Sequence, residues 1–209
     1  MGVILLPKIG EHIIFCGTTG SGKTYLAMHM LDNYERYFIF DTHNALDLEG
    51  VIITNPFRIN QKLKAYNKII YRPELKYRTK EAYNYVIKNL VTKGGGKNRI
   101  IYIDEIFHLG FGMSFPDWLS RGISTARQRK TSFWISSQRP SNIPMAILTE
   151  ARRIYIYYLS YSEDIKKLSK FSRNGEKFIR EVASLGYDYS FVELDRIKGD
   201  FVKHTPLKI

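Results

Sequence analysis

Residues and patterns that are scarce in this sequence exclude several classes of protein. The chain of 209 residues has one cysteine, Cys16, so it forms no internal disulfide, and the apolar run around Cys16 is typical of a small core residue. The five histidines lack metal-ligand spacing. No apolar stretch reaches the ~18 residues of a membrane span, and residues 1–7 lack the basic region of a signal peptide. We therefore expect a globular protein without a membrane anchor of its own.

Negative charge is also scarce relative to positive charge. The chain carries 32 Lys and Arg against 20 Asp and Glu, which gives a formal net charge of +12. This balance favours a polyanionic partner such as nucleic acid, or a membrane surface, although solvated basic surfaces are also common. The cations form three groups, each of which could contact a polyanion or only face solvent: Lys166, Lys167, Lys170, Arg173, Lys177 and Arg180; Lys93 and Lys97; and Arg72, Lys76, Arg78 and Lys80.

Apolar segments of strand length alternate with helical patterns along the chain. The strand-like runs are rich in Ile, Phe and Tyr without clean alternation, which is typical of parallel strands buried on both faces. The alternation predicts one α/β domain, residues 1–209, with a mostly parallel sheet flanked by helices. The strand-like runs span residues 12–16, 37–40, 69–71, 100–103, 132–135 and 154–159, and the helical patterns span residues 23–34, 79–91, 116–126 and 143–151.

The last fifty residues or so show a different pattern. Residues 162–170 and 176–185 predict short basic helices, and residues 191–194 and 201–203 predict a terminal hairpin. We therefore expect a core of about residues 10–160, followed by a small basic extension of helices and a hairpin over about residues 161–209.

A glycine-rich segment follows the first predicted strand. Residues 17–24, GTTGSGKT, match the phosphate-binding pattern G-x-x-x-x-G-K-[ST] between a strand and a helix. Glycines let backbone N–H groups curl around phosphate oxygens, and the start of the helix adds its positive dipole end. We expect Lys23 to reach the β and γ phosphates and Thr24 to ligate Mg²⁺. The predicted nucleotide-binding residues are Thr18, Thr19, Gly20, Ser21, Gly22, Lys23 and Thr24.

Two acidic residues end a later apolar strand. Asp104 and Glu105 follow residues 99–103, RIIYI. A phosphate-binding loop of this type needs a carboxylate on its metal ion, so we expect Asp104 to hold Mg²⁺ through water. Glu105 is predicted to act as the catalytic base on the attacking water. A surface Asp-Glu turn after a core strand is the alternative interpretation.

A third strand ends in polar residues within residues 134–144, WISSQRPSNIP. The apolar run there gives way to Gln138 and Arg139 before Pro140 stops the strand. Because the carboxyl ends of parallel strands meet at one edge of a sheet, we expect Gln138 to approach the γ-phosphate or the attacking water. A Gln138 amide bonded to nearby backbone is the alternative.

Together these motifs resemble the FtsK–HerA superfamily of DNA-pumping ATPases. The resemblance rests on the glycine-rich segment, on the Asp-Glu pair, and on residues 125–129, TARQR, with 135–141, ISSQRPS, which is similar to the sensor strand of FtsK. It covers roughly residues 10–160 and is greatest for the short viral genome-packaging ATPases, those of Sulfolobus turreted icosahedral viruses in particular. The chain lacks the membrane segment and the DNA-reading domain of FtsK, and it has little room for the flanking barrel of HerA. These differences favour a genome-packaging ATPase over one that segregates chromosomes.

The resemblance implies a RecA-like sheet in which the strand ending at Gln138 lies between the strands ending at Gly17 and Asp104. It implies an ATPase that uses ATP and Mg²⁺ to pump double-stranded DNA, without reading its sequence, into a preformed capsid. The expected partners are DNA and a capsid-vertex or membrane protein of the virion. The expected location is the host cytoplasm or the virion itself.

The resemblance also implies a homo-oligomeric ring, expected to be a hexamer, with ATP at the subunit junctions. In such a ring an arginine of one subunit completes the catalytic site of its neighbour. Arg127 is the first candidate and Arg129 the second, whereas Arg152 and Arg153 are weaker ones. Residues 111–116, which follow the Asp-Glu pair, could form a loop that enters the pore.

Two other functions stay open at this point. A small-molecule or nucleoside kinase would use the same phosphate loop, but it would need an acceptor pocket and would have no use for a glutamate after the metal-binding acid. A nucleotide-gated assembly factor with negligible turnover would leave Glu105 and Gln138 without a role.

Overall fold

The computed structural model describes residues 5–92, 97–110 and 114–207, and these ranges contain nine strands and seven α-helices. The strands are His12–Cys16 (β1), Tyr37–Phe40 (β2), Val51–Ile53 (β3), Lys68–Tyr71 (β4), Arg99–Ile103 (β5), Thr131–Ser137 (β6), Ala151–Ile156 (β7), Phe191–Asp195 (β8) and Asp200–His204 (β9). The helices are Lys23–Leu31 (α1), Ile59–Ala65 (α2), Lys80–Thr92 (α3), Asp117–Ala126 (α4), Met145–Glu150 (α5), Ser162–Ser169 (α6) and Gly175–Ala183 (α7). No helix in these ranges is long and apolar enough to cross a bilayer.

All nine strands belong to one sheet in the order β3-β4-β2-β5-β6-β1-β7-β8-β9. The first seven in this order pair in parallel, whereas β8 and β9 continue the sheet beyond β7 as an antiparallel hairpin. The predicted mostly parallel α/β sheet is confirmed, and so is the position of β6 between β1 and β5. The predicted terminal hairpin is present, and it extends the main sheet instead of forming a separate unit.

The sequence prediction missed two short elements and misplaced some ends. Strand β3 and helix α2 are only three and seven residues long, too short for a periodic pattern to be recognised. Strand β7 spans Ala151–Ile156, three residues earlier at each end than predicted, although the carbonyl of Tyr158 still accepts the N–H of Thr18 at 3.0 Å. Strand β6 continues two residues further than predicted, to Ser137.

The two faces of the sheet are covered unequally. Alternate residues of each central strand point to opposite faces, as Phe15 and Cys16 of β1 show. Helix α1 packs on the Phe15 face, and helices α2 to α7 pack on the Cys16 face. Burial on both faces explains why the strand sequences lack apolar–polar alternation.

The register of the three central strands brings their carboxyl ends to one level. Cys16 of β1 is paired with Ser137 of β6, and Ile135 of β6 is paired with Ile103 of β5. The glycine-rich loop after β1, the acids after β5 and the amide after β6 therefore leave the sheet side by side. This edge is where open α/β sheets bind ligands.

A fully buried arginine, Arg99, lies at the amino ends of the strands, on the side of the sheet away from these loops. The guanidinium of Arg99, at the start of β5, donates to the carbonyl oxygens of Tyr37 at 3.1 Å, Asn67 at 2.7 Å and Tyr66 at 3.0 Å. Burial lowers the pKa of Arg99 to about 10. One side chain of β5 thus bonds to a carbonyl at the start of β2 and to two carbonyls just before β4.

We predict that Arg99→Met lowers the free energy of unfolding by about 2–4 kcal/mol, because it removes the three hydrogen bonds that the buried guanidinium donates to backbone carbonyls. Urea unfolding followed by circular dichroism measures the change. The matched control is Arg58→Met at an exposed position, for which we expect a change within about 0.5 kcal/mol. Equal effects of the two substitutions would contradict the structural role of Arg99.

Candidate functional site

The loop between β1 and α1 is tight, and a side chain at either of two glycines would crowd Tyr157. Gly17 has a φ of +154°, and a Cβ there would lie 2.6 Å from Ser21 Oγ and 2.7 Å from Tyr157 Cβ. Gly22, which caps the start of α1, has a φ of +102°, and its Cβ would lie 3.1 Å from the Tyr157 ring. The spacing of glycines in the motif therefore follows from the packing of the loop against Tyr157.

Two polar side chains of this loop are buried. Lys23 is only 7% exposed, and its ammonium group donates to the carbonyl of Thr18 at 2.8 Å. Burial lowers the pKa of Lys23, and the nearby Glu105 carboxylate opposes that shift. The Ser21 hydroxyl is buried without a hydrogen-bond partner among the described residues. A phosphate bound in the loop would supply acceptor oxygens to both side chains.

Thr24 and Asp104 form a pair of oxygen ligands beside the loop. The Thr24 hydroxyl donates to Asp104 Oδ1 at 3.0 Å, and the buried Tyr102 hydroxyl donates to the same oxygen at 2.8 Å. Mg²⁺ prefers oxygen ligands and is usually held by one or two protein groups together with phosphate oxygens and waters, so this pair fits Mg²⁺. Sequence reasoning missed Tyr102, which reads as an ordinary core residue of its strand.

Glu105 lies against the end of β6. One of its carboxylate oxygens accepts the backbone N–H of Gln138 at 3.1 Å, and the other accepts that of Phe107 at 3.3 Å. Burial raises the pKa of Glu105, although these two N–H donors and Lys23 oppose the shift. A raised pKa makes a carboxylate a stronger proton acceptor, which suits a general base.

The side chain of Gln138 bonds to the glycine-rich loop. Its amide oxygen accepts the hydroxyl of Thr19 at 2.9 Å. The amide therefore stands between the loop and Glu105, whose carboxylate bonds to the backbone of the same residue. A side chain that contacts a terminal phosphate, or a water molecule beside that phosphate, would need this position. The catalytic role of Gln138 stays a prediction.

A buried acid that the sequence did not single out anchors the chain after Gln138. Asp164 of α6 is fully buried and accepts Arg139 Nε at 2.9 Å and the backbone N–H of Ser141 at 2.7 Å. The Arg139 guanidinium also lies 3.8 Å from the centre of the Tyr161 ring. Helix α6 thus fixes the turn that follows Gln138. Asp164 follows Glu163 in the first turn of α6, where acids are common, so the sequence gives no signal for such a contact.

The two arginines predicted to act on a neighbouring subunit lie far from the site of their own chain. Arg127–Arg129 form a 3₁₀ turn at the amino end of β6, and Arg129 is exposed. The side chain of Arg127 lies outside the described part of the structure. Seven residues of β6 separate this turn from Gln138, a distance of roughly 20 Å at the usual rise per residue. Neither arginine can serve its own site, so a role for either requires a second subunit.

The two weaker arginine candidates have structural partners. Arg152 Nη1 lies 2.5 Å from the carboxylate of Asp195, and Arg153 Nε lies 3.4 Å from that of Glu193. Both ion pairs join β7 to the terminal hairpin. These contacts explain Arg152 and Arg153 without any catalytic role.

The three groups of cations identified in the sequence differ in their exposure and in the ion pairs they form. In the second, Lys97 is exposed and Lys93 lies outside the described residues. The third group is largely neutralised, since Arg72 pairs with Asp41 at 2.8 Å and Lys76 with Glu74 at 2.9 Å. In the C-terminal group the ammonium of Lys167 bonds to backbone carbonyls. Its remaining members are exposed and form no ion pair with another described residue: Lys166, Lys170, Arg173, Lys177 and Arg180.

The proposed pore loop is described only in part. Phe111, Gly112 and Met113 lie outside the described residues. Phe115 packs against the hydrophobic core, and Ser114 accepts a hydrogen bond from Lys80 at 2.7 Å. The described half of this segment is therefore held to the body of the protein.

Comparison with known proteins shows similarity of structure only. No known family model matches the chain, and no curated sequence does either. The genome packaging NTPase of Sulfolobus turreted icosahedral virus 2, solved with AMPPCP, superposes with a TM-score of 0.75 over 95% of this chain and 98% of that one, at 16% identity. The fold is that of a RecA-like P-loop NTPase. The predicted likeness of fold to viral packaging ATPases is confirmed.

Two further P-loop structures share this fold at greater distance. The conjugation coupling protein TcpA of pCW3, solved with ATPγS, gives a TM-score of 0.58 at 14% identity over 94% of this chain and 60% of that one. The N-terminal domain of the zonular occludens toxin from Neisseria meningitidis gives 0.51 at 13% identity over 95% of both chains.

Proposed function

We propose that this protein is an ATP-hydrolysing DNA translocase that pumps double-stranded viral DNA into a preformed capsid. The observation that carries the proposal is the meeting of three strand ends at one edge of the sheet. They bring together the glycine-rich loop, the Thr24–Asp104 pair, and Glu105 beside Gln138. The fold shared with a viral genome packaging NTPase over nearly the whole chain supports the packaging role.

In the proposed reaction, water attacks the γ-phosphorus of ATP. The bond from that phosphorus to the β–γ bridging oxygen breaks, the water proton passes to the Glu105 carboxylate, and ADP and phosphate leave. Lys23 and the loop N–H groups bind the phosphates, and Gln138 orients the water or contacts the γ-phosphate. Mg²⁺, held by Thr24 and Asp104, would neutralise charge on the phosphate oxygens.

The exposed cations of α6, of α7 and of the segment that joins them are the proposed contact with DNA. Lys166, Lys170, Arg173, Lys177 and Arg180 offer a basic surface, and phosphate contacts of this kind carry no sequence information. Because α6 also anchors the turn after Gln138 through Asp164, a shift of α6 on DNA would reach the catalytic amide. We further propose a hexameric ring around the DNA, docked on a capsid-vertex or membrane protein of the virion, in the host cytoplasm or the virion.

We predict that two substitutions separate binding from turnover. Lys23→Ala should abolish both ATP binding and phosphate release, since it removes a cation from the phosphate site. Glu105→Gln should keep ATP binding but lower the turnover rate about 10²- to 10⁴-fold, because the amide cannot accept the water proton. Fluorescent nucleotide binding and phosphate release measure the two effects. Wild-type turnover in Glu105→Gln would remove this residue from its role.

Addition of double-stranded DNA tests the function itself. We expect DNA to stimulate phosphate release, and the stimulation to weaken as salt rises. Lys170→Ala with Arg173→Ala should reduce the stimulated rate, whereas the matched pair Arg58→Ala with Lys64→Ala, which removes the same charge from another exposed surface, should not. Phosphate transfer to a small acceptor without DNA would identify a kinase. Absence of turnover with DNA present would indicate an assembly factor.

Mixed rings test the arginine that acts between subunits. A Lys23→Ala subunit lacks a working site but keeps its arginines, and an Arg127→Ala subunit keeps its site. If Arg127 acts on the neighbour, each variant alone should be inactive and their mixture should recover part of the activity. The same experiment with Arg129→Ala decides between the two residues. If no mixture recovers activity, the proposal of an arginine shared between subunits is wrong.

A further inference from the structure

Two histidines that the proposed reaction does not use meet beside the ends of the central strands. His43 lies three residues beyond the end of β2, and His108 lies in the 3₁₀ turn Ile106–Leu109, which follows β5. Because β2 and β5 are neighbouring parallel strands, the segments that leave their carboxyl ends bring the two rings together. The two Nε2 atoms lie 2.8 Å apart, and the ring planes are nearly perpendicular, at 88°. A separation of 65 residues in the sequence gives no sign of this pair.

The surroundings of the pair suit neutral imidazoles that bind a metal ion. Burial lowers the pKa of His108, and the neighbouring His43 adds to this effect. The Asp104 charge raises that pKa and the Arg78 charge lowers it, so His108 stays mostly neutral at neutral pH, the form that binds metals. Nδ1 of His108 lies 3.1 Å from the hydroxyl of the buried Thr42, which can accept the Nδ1–H and so leave Nε2 bare. His43 is exposed, so an ion can reach the pair from solvent.

The distance between the two nitrogens indicates which coordination geometry the pair fits. With metal–nitrogen bonds of about 2.0–2.1 Å, nitrogens in adjacent positions of an octahedral or square-planar ion lie about 2.9 Å apart, whereas tetrahedral positions lie about 3.3–3.4 Å apart. The observed 2.8 Å fits the first arrangement. Among the described residues no third His, Cys, Asp or Glu completes a metal-binding group with the pair, so water would fill the other positions. Ni²⁺ and Cu²⁺ prefer such geometry and bind imidazole, whereas Mg²⁺ prefers oxygen ligands.

We propose that His43 and His108 together bind one divalent transition-metal ion of the nickel and copper class in adjacent coordination positions. This site goes beyond the proposed ATPase and is separate from the Mg²⁺ ligands Thr24 and Asp104. The ion joins the loop after β2 to the turn after β5. Because the backbone N–H of His108 donates to the carbonyl of Glu105 at 3.1 Å, the ion also restrains the segment that carries the proposed catalytic base.

Calorimetric titration of the untagged full chain with Ni²⁺, in excess Mg²⁺, tests the proposal. The wild type should bind one Ni²⁺, and its melting temperature should rise when Ni²⁺ is added. His43→Ala and His108→Ala should each weaken binding about tenfold or more and remove that rise, because each deletes one of two protein ligands. Thr42→Val keeps the shape of the side chain but removes the hydroxyl, and it should weaken binding about tenfold. His29→Ala, at another exposed histidine, is the matched control and should bind Ni²⁺ as the wild type does.

The outcomes separate a metal site from a simple hydrogen bond between the rings. If the wild type binds no Ni²⁺, or if His43→Ala binds it as tightly as the wild type, the two rings only share a hydrogen bond and the metal site is overturned. Co²⁺ bound at the pair should absorb weakly in the visible range, as six-coordinate Co²⁺ does, whereas an intense band would indicate a tetrahedral ion and contradict the proposed geometry. None of these measurements involves ATP, so failure of the metal site would leave the proposed function intact.

Discussion

The parallel pairing of β5, β6 and β1 is the constraint on which the rest of the structure depends. Every side chain of these three strands is buried, and alternate residues fill two different cores. A slip of one residue in any of them would exchange the two sets of side chains, so the register is strongly specified. That register places the glycine-rich loop, the two acids and Gln138 at one level. Packing of apolar side chains thus determines the geometry of a polar site.

The C-terminal part of the chain supports this site from two sides. On one side, Asp164 holds Arg139 and the turn after Gln138. On the other, Tyr157 packs against the glycines of the phosphate loop, and the hydroxyl of Thr18 donates to that of Tyr187 at 3.3 Å. Helix α6 and the segment before β8 are therefore more than a basic extension: α6 bonds to the turn after Gln138, and Tyr187 bonds to the phosphate loop.

Much of the fold was predictable because its strands are continuous apolar runs that end in conspicuous polar residues. The glycine motif, Asp104 and Glu105 could be recognised from spacing alone, and the place of Gln138 followed from the rule that parallel strands end together. The contacts of Asp164 could not, because they join α6 to residues 25 and 23 positions earlier in the chain. The contact of Tyr102 with Asp104 is local, but a tyrosine in an apolar strand gives no sign that its hydroxyl reaches the acid at the strand end. Strand β3 was missed because a run of three apolar residues is too short to show the periodic pattern of a strand or a helix.

The sequence by itself determined the phosphate-binding motif, the order of strands and helices along the chain, and the excess of positive charge. These are local or additive properties, which composition and spacing express directly. Only the tertiary structure decided which cations form ion pairs and that the hairpin extends the main sheet. It also decided that Arg127 and Arg129 lie at the amino end of β6, whereas the site of their own chain lies at the carboxyl ends of the strands. Each of these results depends on distances between residues far apart in the chain, and such distances are set by how the two cores pack.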